Sequence, residues 1–467
     1  MGRPRNMVGG SGPDRIEPGE GRCAMQIAFV AISGVRSCNK ALMDVGLTLP
    51  GFVERSQVIA SLPSLGLLTL AGMTPDPFDT SYHEVPDVRA VTELPTCDVA
   101  AISSYSAQIR DAYALADRFR AAGVKVVLGG LHVTALPNEA LEHADAVVLG
   151  EGEIGWPEVL QDLAVGRLRR VYASAGREFD LADSPMPRFD LLDVERYNRL
   201  TVQATRGCPW RCEFCAASIR LTPKYKAKPV ERVIAEIREI KRLWPRPFIE
   251  FADDNGFASR EHAKALLRAL AQERVHWFSE SDISIADDPE LLELMRESGC
   301  RELLIGLESP TSAGIDGVEE RRNWKHTRFA HYLDDIRRIQ GHGIAVNGCF
   351  VLGLDGDGPG VFDAVEEFVR VSGQFDAQIT VMTPFPGTPL YERLRQEDRL
   401  LEAENWERCS LFDVNFRPAR MSPEALQDGL LGLARQLYTT QERDARHDRF
   451  WAQRRRHRRE ALVEVHA

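Results

Sequence analysis

Apolar and polar residues alternate with a regular beat along the first third of the chain. Residues 25–32 form a compact apolar run and read as a strand, and 64–73 read as the helix that follows. Residues 99–103 are a second apolar run, while 107–122 set Ile109, Tyr113, Leu115 and Phe119 along one side of a helix. A strand at 125–128 runs into Gly129-Gly130. A short helix at 137–143, a strand at 146–149 and a helix at 156–163 complete the series. This alternation predicts an α/β domain over 25–166, a doubly wound parallel sheet with helices on both faces. Ligands of such sheets bind beyond the carboxyl ends of the strands. Those ends collect small and polar residues here: Ser103-Ser104, Gly129-Gly130 and Gly150-Glu151-Gly152-Glu153.

Residues 167–199 lose all periodicity among charges and the prolines Pro185 and Pro187, and read as a connector. A second series starts near 200, with strands expected at 200–205, 248–252, 276–283, 302–306, 345–352 and 377–382. The clearest intervening helix, 230–244, places Val230, Val233, Ile234, Ile237 and Ile240 on one face. Six βα units fall short of a closed eight-unit barrel, so 200–395 is expected to form an open, partial (β/α)6 barrel. Residues 396–467 read as a helical C-terminal region. Trp406, Phe412 and Phe416 near its start would either cap the barrel mouth or sit in the core. Residues 1–24, rich in Gly, Pro and charge, have no apolar pattern to bury and read as a disordered leader.

Composition narrows the class. The chain has 467 residues, 44% of them hydrophobic, as in ordinary globular proteins. A net charge of -11 disfavours nucleic acid as a partner, and the basic run 454–459 reads as a solvated helix end. The longest apolar stretch, 59–73, contains Pro63 and two glycines and is shorter than the ~20 residues that span a bilayer. With no signal-peptide pattern in the first residues, a cytoplasmic protein without a transmembrane segment is expected. Nine cysteines, an odd number, argue against a disulfide framework. Six of them, Cys23, Cys38, Cys97, Cys300, Cys349 and Cys409, are scattered.

The other three are not. Cys208, Cys212 and Cys215 stand at C-x3-C-x2-C just after a predicted strand, at the barrel end where active sites lie. Thiolates are the natural ligands of iron–sulfur clusters, and three of them on a four-iron cluster leave one iron open to chelate a small molecule. Gly207 and Pro209 suit a tight loop around such a group. A structural zinc site would want a fourth ligand, and no further Cys or His lies close in sequence.

This motif resembles that of the radical S-adenosylmethionine superfamily, and the resemblance extends over about residues 195 to 400. It implies a [4Fe-4S] cluster whose open iron binds S-adenosylmethionine, and an electron donor such as a flavodoxin or ferredoxin. It implies roles for particular residues as well. Phe214 would pack near adenine, and Asp253-Asp254-Asn255 would hold the methionine amino group, an ordinary helix cap being the alternative for that turn. Glu308 would reach the ribose, and the loop Thr383–Tyr391, with Pro384, would close over adenine.

The N-terminal segment is similar to the cobalamin-binding domains fused ahead of radical enzymes, the branch with anaerobic porphyrin cyclases, hopanoid-modifying enzymes and natural-product methylases. The similarity lies in Ser61–Leu68, Gly129-Gly-Leu-His-Val-Thr134 and Val148-Leu-Gly-Glu-Gly-Glu153. It implies cobalamin near Ser103, Ser104, Gly129, Gly130, His132, Thr134, Gly150, Glu151 and Glu153, with the glycines admitting the nucleotide tail. The D-x-H-x-x-G motif that supplies a cobalt-ligating histidine is absent, and His132 does not match it. The resemblance implies a methyltransferase acting on an unactivated carbon of a small molecule. One S-adenosylmethionine would methylate cobalt and a second would furnish the radical. A radical cyclase or rearrangement enzyme, with or without cobalamin, is the alternative. An RNA methylthiotransferase would need a second cysteine triad and a basic module, and a non-catalytic cobalamin carrier would not need Cys208, Cys212 and Cys215.

Overall fold

The computed structural model describes residues 25–34, 37–46, 62–216 and 224–464, with side chains as far as 456. The expected leader, 1–24, lies outside the described residues. Six strands form the first sheet: β1 (Gln26–Ile32), β2 (Asp79–Val85), β3 (Val99–Ser103), β4 (Lys125–Gly129), β5 (Ala146–Leu149) and β6 (Val171–Ala173). Their order is β2-β1-β3-β4-β5-β6, and every pairing is parallel. The central strands are legible in sequence because both faces are covered. Ile27, Phe29, Val99, Val127 and Trp156 pack on one side, and Ala28, Val30, Ile102, Leu128 and Phe119 on the other. The two edges are not legible. β2 carries Thr80, Ser81, His83 and Glu84 and is half-buried almost throughout, whereas β6 has only three residues. β6 also lies inside the segment read as a connector, so the first sheet runs past residue 166. The rest of that segment folds into single helical turns that bury Leu181 and Phe189.

The second sheet contains β7 (Leu200–Val202), β10 (Phe248–Phe251), β11 (His276–Ser281), β12 (Cys300–Glu308), β13 (Ala345–Leu352) and β14 (Asp376–Val381). It is wholly parallel in the order β14-β13-β12-β11-β10-β7, with no pairing between β14 and β7. The barrel is therefore open. Its strands alternate with a period of two. Leu303, Ile305, Leu307, Ala377 and Ile379 face the surrounding helices in one apolar core. Leu304, Gly306, Glu308, Gln378 and Thr380 face the lumen. The expected strand 200–205 is interrupted. Thr205–Arg206 forms β8, which pairs antiparallel with β9 (Lys226–Ala227).

The C-terminal region ties the halves together. Trp406 and Cys409 are buried in the core of the first domain, while Phe412 and Phe416 are buried in that of the barrel. All three of its aromatic residues noted above are thus core, and Leu411 lines the lumen in their place. Arg446, 1% exposed, donates from Nη2 to Asp376 Oδ1 at 3.0 Å and fastens the last helix to β14. No helix among the described residues is long and apolar enough to cross a membrane.

Candidate active site

The cysteine loop leaves β8 through Gly207, whose φ of 84° suits only glycine comfortably. The Gly207 N–H donates to Asp254 Oδ2 at 3.0 Å. Trp210 stacks on Trp324 with centroids 4.4 Å apart, and its Nε1 donates to Asp282 Oδ2 at 2.8 Å. The loop's far side bridges Cys212 to Glu319. Cys208, Cys212 and Cys215 all line one cavity of about 380 Å³ at the barrel mouth. Among the described residues no three His, Cys, Asp or Glu side chains converge on a single metal ion. Three thiols on one loop can each take one iron of a four-iron cluster and leave the fourth open. Burial pushes the thiol of Cys208 up to about 11 and that of Cys212 up to about 12. A metal bound there would displace the proton and hold these groups as thiolates.

The turn 253–255 divides its work. Asp253 does not line the cavity. Its carboxylate turns inward and accepts the N–H groups of Ala204 at 2.8 Å and Thr205 at 3.0 Å, which ends β7, and burial pushes its pKa up to about 7. Asp254 and Asn255 face the cavity. Asn255 Nδ2 donates to Asp282 Oδ2 at 2.8 Å and lies 3.7 Å from Cys208 Sγ, while its buried Oδ1 has no partner. The turn is no helix cap, because the next helix starts only at Arg260, after Ser259. Phe214 and Glu308 also line the cavity. Pro384 does not: its carbonyl faces the Cys409 thiol at 3.9 Å, and its neighbours Thr383 and Phe385 reach the lumen.

Sequence reasoning missed several lumen residues, Lys325 and Glu280 among them. Lys325 is 5% exposed, pairs with Glu308 and donates to the Gly306 carbonyl at 3.0 Å. It lies in a five-residue helix, Trp324–Arg328, far from any motif, so nothing in its neighbourhood marked it. Glu280 projects into the lumen from β11. Its side chain is open to the cavity, and desolvation by the surrounding protein, with Glu250, Asp254, Asp253 and Glu308 adding repulsion, pushes its carboxyl up to about 8. Period-two placement on a strand ending in Ser281-Asp282 was the available clue.

A second cavity, of about 290 Å³, opens at the carboxyl ends of the first sheet. Ser103, Gly129, Gly130, Gly150, Glu151 and Glu153 line it. Gly130 has φ 113°, and a Cβ there would stand 3.2 Å from Ser103 Oγ, so glycine keeps the cleft open. Ser104 and Thr134 stand behind this wall. The Ser104 hydroxyl is buried without a partner, and Thr134 Oγ1 donates to the Gly130 carbonyl at 2.8 Å and accepts the Gly150 N–H at 3.0 Å. His132 does not reach the cleft. It is 1% exposed, its Nδ1 is 3.1 Å from Ser106 Oγ, its Nε2 is 3.3 Å from Glu139 Oε1, and Trp406 packs edge-on against it. The cleft suits a slender polar chain such as a nucleotide tail, with no imidazole on offer to a metal.

Glu151 and Glu153 contact the barrel. Arg206, two residues before Cys208, donates to Glu151 Oε1 at 2.9 Å and to Glu153 Oε1 at 2.6 Å, and Lys226 Nζ donates to Glu151 at 2.9 Å. Gln203, Arg206, Ala252 and Asp254 form the barrel's side of this cleft, and Asp254 lines both cavities.

These two joined cavities are accompanied by matching families. Residues 202–369 match the radical SAM superfamily, 58–160 the B12 binding domain, and 388–465 a domain of unknown function (DUF4070). The chain belongs to the radical S-adenosylmethionine enzymes that carry a cobalamin-binding domain. Among curated relatives, the bacteriochlorophyllide d C-12(1)-methyltransferase of Chlorobaculum tepidum is 28% identical over 81% of this chain and 83% of its own length. The hopanoid C-2 methylase of Rhodopseudomonas palustris is 28% identical over 75% of this chain and 67% of its own. Among solved structures, the methyltransferase TsrM of Kitasatospora setae, with cobalamin and a [4Fe-4S] cluster bound, superposes with a TM-score of 0.65 at 15% identity, over 90% of each chain. That similarity establishes the shared fold.

Proposed function

We propose that this enzyme methylates an unactivated carbon of a small molecule, with the substrate held at the barrel mouth between the two cavities. One observation carries the reading. The cleft of the first domain and the cysteine-lined cavity of the barrel share a wall, Asp254, so groups bound in each lie on either side of one carboxylate. Proximity of that kind is what transfer between two bound groups demands. When bound, the cluster with S-adenosylmethionine supplies a radical, and cobalamin supplies the methyl group. The chain's own residues hold and orient. Cys208, Cys212 and Cys215 would ligate three irons, Asp254 and Asn255 would meet the methionine amino group, and Phe214 would meet the adenine. Glu308, fixed by Lys325, would meet the ribose. Gly129, Gly130 and Gly150 would admit the nucleotide tail of cobalamin, and Leu411 would stand at the wall of the lumen. The methylases among the relatives favour this reading over cyclisation.

The test is anaerobic incubation of the reconstituted protein with cobalamin, a reductant, methyl-labelled S-adenosylmethionine and a metabolite extract. Label in a new carbon-bound methyl group, with S-adenosylhomocysteine and 5′-deoxyadenosine formed in equal amounts, is the expected result. A product made with 5′-deoxyadenosine alone would establish a cyclase or rearrangement enzyme instead.

A further inference from the structure

We propose that the turn bearing Arg321 and Arg322, clamped against the cysteine loop, is the docking surface for an acidic one-electron carrier protein. The inference rests on the reading that Cys208, Cys212 and Cys215 hold a cluster reduced from outside the chain.

Glu319 builds the turn. It is 2% exposed, and its carboxylate accepts the backbone N–H groups of Arg322 at 2.8 Å, Arg321 at 3.1 Å and Arg211 at 3.4 Å. Burial alone would raise its pKa, but these N–H groups together hold it below the ordinary carboxylate range. The Glu320 N–H donates to the Arg211 carbonyl at 2.9 Å and the Glu213 N–H to the Val318 carbonyl at 3.3 Å. Two stretches of backbone are thus laced together, one carrying the cysteines and the other turning two arginines to solvent. Arg321 and Arg322 are exposed and have no acidic partner within ion-pair distance among the described residues. Arg211 joins them, with Glu320 at a loose 3.7 Å.

The surroundings give this patch its meaning. The chain as a whole carries -11, so an acidic partner is repelled by most of the surface and attracted here. Local attraction against a repelling background sets orientation and encounter rate. Electron transfer falls steeply with distance, so an orientation that presses the carrier onto the backbone next to Cys212 is the productive one. In the step itself one electron leaves the reduced carrier and enters the cluster; no bond forms or breaks and no proton moves. The second basic region lies elsewhere. Arg454 lines a hollow with Phe248, Arg301 and Ala345, at the amino ends of the barrel strands and away from the cysteines. Arg455 and Arg456 beside it are exposed, which makes them an internal control.

The experiment titrates an acidic flavodoxin into the full, anaerobically reconstituted protein and follows binding by calorimetry. Three proteins are compared: wild type, Arg321→Glu/Arg322→Glu, and Arg455→Glu/Arg456→Glu, which makes the same change in net charge. The expected result is a Kd weakened about tenfold or more by the first variant and by less than about threefold by the second. Wild-type binding should also weaken with added salt. Arg321→Lys/Arg322→Lys should bind as wild type does. Cleavage of S-adenosylmethionine driven by dithionite should be equal in all of them, because that reductant needs no docking. No flavodoxin binding by wild type, an unchanged Kd in the first variant, or equal losses in both variants would overturn the proposal. So would loss of dithionite-driven cleavage in the first variant, which would make the turn a support for the cysteine loop. Wild-type protein that fails to cleave S-adenosylmethionine with dithionite would instead overturn the reading of the site itself.

Discussion

Replacing Arg206 with Gln should loosen the joint between the two halves of the molecule. Arg206 reaches from the barrel to two carboxylates of the first domain, with side-chain exposures of 18% for Arg206, 6% for Glu151 and 8% for Glu153. Removing one partner of a buried ion pair costs about 3–5 kcal/mol, mostly through the charge left behind. Here Glu151 keeps Lys226 at 2.9 Å and the Phe179 N–H at 3.0 Å, so only Glu153 is stranded. The lower end, about 3 kcal/mol, therefore applies. The assay is urea unfolding followed by tryptophan emission, reading the first transition because a protein of several domains need not unfold in one step. A double-mutant cycle with Glu153→Gln should return a coupling of about 1–3 kcal/mol. The effect should also depend on pH. Burial would raise the pKa of Glu151, but the Phe179 N–H, Lys226 and Arg206 outweigh it and hold the group below its ordinary value. A depressed folded-state pKa contributes stability that is present above the unfolded value of about 4.3 and lost as pH falls through the folded value. The wild-type advantage over the variant should thus persist at neutral pH and shrink in acid below about pH 4. A change under about 0.5 kcal/mol at neutral pH, the range of ordinary surface substitutions, would refute the idea that this bridge holds the domains together.

Other perturbations separate the site's parts. Replacing Cys208, Cys212 and Cys215 together with Ala should abolish the binding of about four irons per chain; iron retained with its visible absorption would remove the cluster from this loop. Replacing Asp254 and Asn255 with Ala should abolish reductive cleavage of S-adenosylmethionine while iron content stays unchanged. Asp253→Asn should show itself chiefly as a loss of about 1–3 kcal/mol of unfolding free energy, since its carboxylate serves backbone N–H groups. Gly130→Leu should block cobalamin uptake, read optically, without loss of iron, because the new side chain meets Ser103 in a backbone conformation that leucine adopts poorly. Bound cobalamin in the wild type should show no imidazole nitrogen on reduced cobalt by spin resonance; nitrogen splitting would return His132 to the site.

The chain's pattern by itself determined the architecture and marked the candidate seat of the chemistry. Strands buried on both faces must be continuously apolar, so β1, β3, β4 and β5 are legible, and a loop of three cysteines needs no distant partner to announce a cluster. The strand ends likewise marked where the cleft opens, with Gly130 and Gly150 both at positive φ in its wall. Edge strands β2 and β6 escaped because an exposed edge has no face to keep apolar. The roles within the polar motifs were decided only by the tertiary structure. Asp253 and Asp254 are adjacent and chemically identical, yet one ends a strand while the other divides two cavities. Glu151 and Glu153 do line the cleft, but that they also hold Arg206, more than fifty positions away, was decided only by the fold. His132 stands in a ligand-like motif but is turned to Glu139 and Trp406. Periodicity is a local property and can be read along the chain. The partner of a charge is not local, because any residue of opposite sign will serve, and only the packing of the two domains selects which one does.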